Sequence, residues 1–518
     1  MGVFFDYIRI TNRGIMRGHI KTLSIVSVIL LLSVACGGGS DRDVNATNQT
    51  NESSNSEPDN SRESLTESVE EDSAPVESEP SSSSSTTANG NGETSTDEDE
   101  PAYEMFGDIV WPCNPGSATG ATDQGVTDTS ILIGGGDDRG YAASLGLNIT
   151  QTDTLKAFVE KCNDLGGING REVLVELYDA KIFEVSNVWL DACPRMFMMV
   201  AEGFAVDSLG EETRVQCELA HIPTYTVSAA AAHGPMMIQP VPNPSDRNPL
   251  SMASYIAETY PDAIAKSATM YGNFAATIET KDKTLSSYPP LGFEFIANLE
   301  YNIVGEDDWT PFVLELKNAG VQHIYFTGTC LPNYQAFRSA ASVNGFDAIY
   351  TTDANFYEDS CRQANDDGVM NNTYVRMAFI PFEERDYAPG VNDYLEIMEE
   401  KGGEIALLGM QAASAFLLWA TAAKACGSNL TRSCVLEEAA KIDEWSGGGM
   451  HVASDPGVNE PPPCGIVIEL VGTTYERIFP SEPGTFECNE SWNAGFTNRW
   501  TDDAALDENR VSQKFTAE

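Results

Sequence analysis

Two adjacent carboxylates, Asp137 and Asp138, follow Gly134, Gly135 and Gly136 at the end of a β-branched run, Ile131 to Ile133. With Gly140 these glycines give a Gly-x-Gly-x-x-x-Gly pattern that superficially matches a dinucleotide loop. The carboxylate pair would face the pyrophosphate there, and that repulsion argues against nucleotide binding. His19, His221, His233, His323 and His451 show no metal-ligand spacing, and no Cys-x-x-Cys pair occurs. Asp366 and Asp367, before Gly368, lack the alternating ligands of a calcium loop. Neither a Gly-x-Ser-x-Gly elbow nor a Gly-x-x-x-x-Gly-Lys loop is present. No nucleophile with a base partner stands out, so the residues point to binding without turnover and to no cofactor or metal.

The elements that must position such residues alternate. Ile131 to Ile133 reads as a buried strand entering a tight glycine loop. Leu155, Phe158, Val159, Cys162 and Leu165 share one helical face, capped by Thr152 or Asp153 and ended by Gly166 and Gly167. Val173, Val175 and Leu177 alternate with Glu172 and Glu176, the period of a strand. Strand, helix and strand make a β-α-β unit, and the same grammar recurs at residues 222–227, 265–271, 293–297, 323–327 and 348–352. Leu314, Leu316 and Ala319, closed by Gly320, fit one of the intervening helices. The apolar stretch 405–423 is diluted by Gly409, Gln411, Ser414 and Thr421 and reads as a buried helix, not a membrane span. The fold class is therefore α/β with mainly parallel sheets in two lobes, and ligands of such sheets bind in loops at the carboxyl ends of strands.

That position selects the candidate contacts. In the first lobe they are Asp137, Asp138, Tyr141, Asp207, Ser208, Ser228, Ala229 and Ala230; in the second, Asn273, Phe274, Thr329, Asp353 and Phe356. Tyr141 and Phe356 fit core positions equally well, and Asp179 and Asp353 fit ordinary loop caps.

The N-terminus carries an export signal. Arg9, Arg13, Arg17 and Lys21 precede an apolar run, Leu23 to Ala35, too short to span a bilayer, and Met16 is an alternative start to Met1. Leu32-Ser33-Val34-Ala35-Cys36 resembles a bacterial lipobox, although Ser33 stands where that family prefers Leu. The resemblance implies cleavage before Cys36 and its lipidation, and so a membrane anchor. Residues 37–100 have the composition of a disordered tether: there is no aromatic residue between Tyr7 and Tyr103, and residues 41–100 hold 17 acidic residues against Arg42 and Arg62. Over all 518 residues, 78 acidic and 30 basic side chains give a formal charge of −48, which excludes nucleic acid as a partner. Ten further cysteines, an even number in an exported chain, suggest disulfides. Sequential pairing would join Cys113 to Cys162, Cys193 to Cys217, Cys330 to Cys361, Cys426 to Cys434 and Cys464 to Cys488, but the sequence leaves connectivity open.

Leu165-Gly166-Gly167-Ile168-Asn169-Gly170-Arg171, with Asn163 before it and Val173, Val175 and Asp179 after it, resembles the branched-chain amino-acid binding proteins of ABC importers. Weaker echoes extend the resemblance over about residues 126 to 480, through Glu300-Tyr301, Asp307 to Val313, Gly320 to Gly328 and Ala412 to Arg432. It implies a type I periplasmic binding fold with three hinge crossings near residues 240–250, 374–384 and 452–462. The expected domains are a signal peptide (1–36), the tether (37–100), lobe 1 (101–246 and 378–455), lobe 2 (247–377 and 456–500) and a tail (501–518).

The resemblance further implies a clamshell that holds an amino acid, amide or amine and delivers it to an ABC permease from the outer face of the membrane, working as a monomer. Ser208 and Ser228 would hold a carboxylate and Asp353 an ammonium. Ala229 to Ala232 lacks the second hydroxyl that amino-acid binders often place there. A ligand-sensing surface receptor and an α/β-fold enzyme are the alternatives.

Overall fold

The structure, a computed structural model, describes residues 104–515. The leader, Cys36 and the tether, with residues 101–103 and 516–518, lie outside the described residues.

The described residues open with a small hairpin, β1 (Met105–Phe106) and β2 (Ile109–Val110), that plugs Phe106 and Trp111 against Phe158. There follow β3 (Ser130–Asp137), α1 (Ile149–Asp164), β4 (Glu172–Asp179), α2 (Val185–Ala192), β5 (Met199–Val200), α3 (Glu211–Gln216), β6 (His221–Ile222) and α4 (Ala229–Ala232). The four strands form a parallel sheet in the order β4-β3-β5-β6. This is the first lobe.

A crossing leads to α5 (Ser251–Thr259), α6 (Pro261–Ile264), β7 (Ser267–Gly272), α7 (Ala275–Ser287), β8 (Phe295–Tyr301), α8 (Thr310–Ala319), β9 (His323–Thr327), α9 (Gln335–Val343), β10 (Ile349–Thr352), α10 (Asp359–Gln363) and β11 (Thr373–Met377). A second crossing returns the chain to the first lobe, where α11 (Pro389–Lys401) and α12 (Leu407–Cys426) pack on α1, and α13 (Arg432–Ala439) packs on α12. A third crossing reaches β12 (Cys464–Val471), β13 (Thr474–Phe479), β14 (Glu487–Cys488) and, beyond them, α14 (Arg499–Ala504). The second lobe's eight-stranded sheet runs β13-β12-β11-β10-β9-β7-β8, with β14 on β12. Its β7 to β11 are parallel, and β12 to β14 add an antiparallel edge. The crossings pair with one another: Ile380 N–H donates to Met450, and Val452 N–H to Ala378.

Local chemistry explains the glycine-rich turn after α1. Gly166, Gly167 and Gly170 all have positive φ, and a Cβ on Gly167 would stand 2.0 Å from the Arg171 carbonyl. The Asn163 amide pairs with both backbone groups of Val173, at 2.8 and 2.9 Å, locking helix end to strand start. Arg171, fully buried, donates to the carbonyls of Thr127, Gly427 and Gly120. The motif is thus structural.

Several expectations of extent need correction: α1 begins at Ile149, so neither Thr152 nor Asp153 caps it, and the strand expected over 293–297 is β8, Phe295–Tyr301. Gly134 to Gly136 do not break the first strand; β3 runs through them to Asp137. Their missing side chains admit Met199, Leu155 and Phe204, each of which would lie within 2.6 Å of an added Cβ. The strand expected over 222–227 stops at Ile222, because Pro223 has no N–H with which to extend the ladder. The apolar stretch near 405–423 is α12, buried along nearly its whole length in the first lobe's core. Among the described residues no helix is long and apolar enough to cross a membrane. Five disulfides join Cys113 to Cys162, Cys193 to Cys217, Cys330 to Cys361, Cys426 to Cys434 and Cys464 to Cys488.

Candidate functional site

The loop after β3 satisfies itself. Asp137 is fully buried and accepts from Arg139, backbone and guanidinium alike, and from the Thr152 hydroxyl. Asp138 accepts from Ile182 N–H and Ala205 N–H, both at 2.8 Å. Burial pushes both carboxyls up, Asp138 to about 6. Asp179 accepts from Gly140 N–H, which ties β4 to the same loop. Tyr141 stands half-buried, edge-on to exposed Phe183. These acids tie together loops of the first lobe.

A different arrangement surrounds α4. Asp207 lies in a 3-10 turn seven residues past the end of β5 and accepts from Val227 N–H at 2.8 Å and Ser228 N–H at 3.0 Å. Ser228 caps α4 by accepting from Ala231 N–H, while Ser208 stands half-buried beside Asp207. Ala229 N–H crosses to the other lobe and donates to Oε2 of Glu279, on α7, at 2.9 Å. Ala230, next in α4, is buried. Burial first, then the nearby Asp207 charge, pushes Glu279 up to about 8; burial also raises Asp207 to about 6. Sequence reasoning missed Glu279, although it follows the candidates Asn273 and Phe274 by one to two helical turns. One turn further, Lys283 donates to Asn243 Oδ1 at 2.7 Å, and Asn243 in turn donates to the Thr226 carbonyl at 3.0 Å. Hinge residue Asn243 therefore joins the two walls. Burial, with Arg376 nearby, lowers Lys283 to about 7.

The second-lobe candidates separate. Asn273, exposed, ties the loop after β7 to the loop after β8 by accepting from Ile303 N–H; Phe274 and Thr329 stand half-buried at the starts of α7 and of the π-turn before α9. Asp353 is paired with Arg376 at 3.2 Å and accepts from the Tyr325 hydroxyl. Its charge is met from within the second lobe. Phe356 is only 1% exposed and packs on Phe326 and Tyr334, so it belongs to the core and not to the cleft. Its preference for the core follows from the two aromatic rings it meets edge-on at one spot.

Behind α4 lies a small recess lined by Trp189, Glu202, Phe204, Asp207, His221 and Tyr225 among others. His221 Nδ1 and Glu202 Oε1 are 2.6 Å apart, and burial raises Glu202 to about 8 and holds the imidazole neutral. No group of three His, Cys, Asp or Glu side chains among the described residues is arranged to hold a metal ion. What the junction of α4 and α7 can do is exchange donors and acceptors between lobes.

Residues 200–473 match the family described as periplasmic binding protein. A comparison with curated proteins finds no match. Among solved structures, the chain is similar to a branched-chain amino acid transporter substrate binding protein from Streptococcus pneumoniae in complex with isoleucine: TM-score 0.55, 15% identity, covering 68% of this chain and 99% of that one. It is also similar to a fatty acid ABC transporter substrate-binding protein from Thermomonospora curvata, with TM-score 0.59, 15% identity and coverage of 73% and 97%. A third is an ABC transporter solute binding protein from R. palustris in complex with 4-hydroxybenzoate, with TM-score 0.57, 13% identity and coverage of 68% and 97%. At these identities the likeness is one of fold.

Proposed function

The chain belongs to the periplasmic binding protein family, and from that premise we propose that it is an exported solute-binding lipoprotein. It captures an amino acid or similar small polar ligand between its lobes and passes it, unchanged, to an ABC importer. One observation carries this reading: the Ala229 N–H of one lobe is held by the Glu279 carboxylate of the other, inside the junction that closure seals. Isoleucine and 4-hydroxybenzoate, named with two of the similar structures, both carry a carboxylate that such a donor suits. A ligand acceptor takes the Ala229 N–H in place of Glu279, with the Ser208 and Ser228 hydroxyls beside it. Glu279, released, meets a donor or ammonium of the same ligand, the role expected of Asp353. Asn273, Phe274 and Thr329 edge the second-lobe wall, and Asp137, Asp207 and Tyr141 support the first. Because each lobe supplies part of the contact set, the ligand shifts an open-closed equilibrium.

A thermal-shift panel of amino acids, amides, amines and small carboxylates tests this. A true ligand at a hundred times its Kd stabilises by about 2.7 kcal/mol, and the shift grows with concentration. A panel without any concentration-dependent shift would sink the capture reading. For the anchor, Cys36→Ser moves the protein from the membrane fraction to the soluble one.

A further inference from the structure

Residues 501–518 read in the sequence as a tail beyond lobe 2, yet the segment after β14 crosses from one lobe to the other. Its root is pinned in the second lobe: Cys488 is bonded to Cys464 of β12, and Trp492 packs on Phe479. Asn498 then caps α14 through a capping box with Thr501. This short helix lies on α4 of the first lobe, with Thr501 and Ala504 buried. On its other side it reaches α7 of the second lobe, where Asp282 Oδ2 accepts from Arg499 Nε at 2.6 Å and from Trp500 Nε1 at 3.0 Å. Lys281 is Asp282's neighbouring cation.

Beyond α14 the chain stays with the first lobe and the crossings. Arg510 forks onto Asp246 at 2.7 and 2.8 Å, and its own carbonyl meets His233 Nδ1 at 2.7 Å. Ser512 N–H donates to the His233 carbonyl, and Phe515 lies with Val215, Ala230 and Pro235.

α14 therefore touches both α4 and α7, the two helices that meet through Ala229 and Glu279. Opening the hinge must part these helices, and α14 can follow only one of them. Its hold on α4 is buried and is backed by Ser512 and Phe515, whereas its hold on α7 is one carboxylate, reached by Trp500 and by Arg499, whose side chain is 58% exposed. We propose that residues 499–515 form an intramolecular latch that keeps the lobes closed in the absence of cargo and releases at Asp282. The latch sets how readily the empty cleft opens, whichever solute enters it.

Hydrogen exchange of the full chain without any added solute tests this, so failure to find a ligand leaves the result readable. In Asp282→Ala and Arg499→Ala, amides of residues 226–233 and 275–283 should exchange at least about fivefold faster than in the parent, with those of β3 and β9 unchanged. Trp500→Phe, which keeps the ring and removes one donor, should give a smaller increase in the same segments. Parent-like exchange in all three variants overturns the latch. So does acceleration spread evenly over both lobes, which signals global destabilisation.

Discussion

The loop after β3 and the junction of α4 with α7 both bury carboxylates beside backbone N–H groups, yet they close on different partners. Asp137 and Asp138 find every partner within the first lobe. Glu279 finds its partner across the cleft. Bonds of the first kind survive any rigid-body hinge motion and so build a lobe. Those of the second kind exist only while the lobes touch, so under the proposed function they would report on the open-closed equilibrium.

The sharpest way to break this contrast is at Asp138. Asp138→Ala strands two buried N–H donors and should cost about 3–5 kcal/mol, read by denaturant unfolding. Asp207→Ala removes the acceptor for Val227 and Ser228 and should cost about 2–3 kcal/mol, with a weakened response to ligand as well. Glu279→Ala should change stability by less than about 1 kcal/mol, because opening re-solvates Ala229 N–H, while markedly altering ligand-induced stabilisation. A loss at Glu279 as large as that at Asp138 would erase the distinction between the two regions.

The smallest effect is a pH dependence. Glu279 is raised to about 8 when the lobes meet, so the closed state binds its proton more tightly than the unfolded chain does. Its contribution is complete below the ordinary carboxyl range and is lost as pH rises towards 8. Asp138 and Asp207, each raised to about 6, act in the same direction over a lower window. Lys283, lowered to about 7, acts oppositely, its charging penalty disappearing as pH rises above that value. Relative to Glu279→Gln, the parent's melting temperature should therefore fall by roughly 2 °C from about pH 5 to about pH 7.

Much of this architecture was legible in the sequence because its signals are local. The alternating residues of β4 and the apolar face of α1 require only near neighbours to be recognised, and so does the left-handed turn at Gly166, Gly167 and Gly170. The candidate site was legible only in part. Position after a strand brought Asp207, Ser228 and Ala229 forward, and these do meet. The same rule brought Asp353 forward without its counter-ion, since Arg376 lies on a neighbouring strand. Phe356 obeyed the rule in position and packed inward all the same. Glu279 sits inside a helix, where loop position carries no signal.

The sequence by itself determined the order of strands and helices, the turn that joins α1 to β4, and the cysteines available for pairing. Only the tertiary structure decided which charge meets which donor, and that residues 499–512 touch elements of both lobes. Periodicity and turn preference act over a few residues along the chain. Hydrogen bonds and ion pairs act over a few ångströms of space, and Ala229 with Glu279, or Asp282 with Arg499, become neighbours only after packing has brought distant segments together.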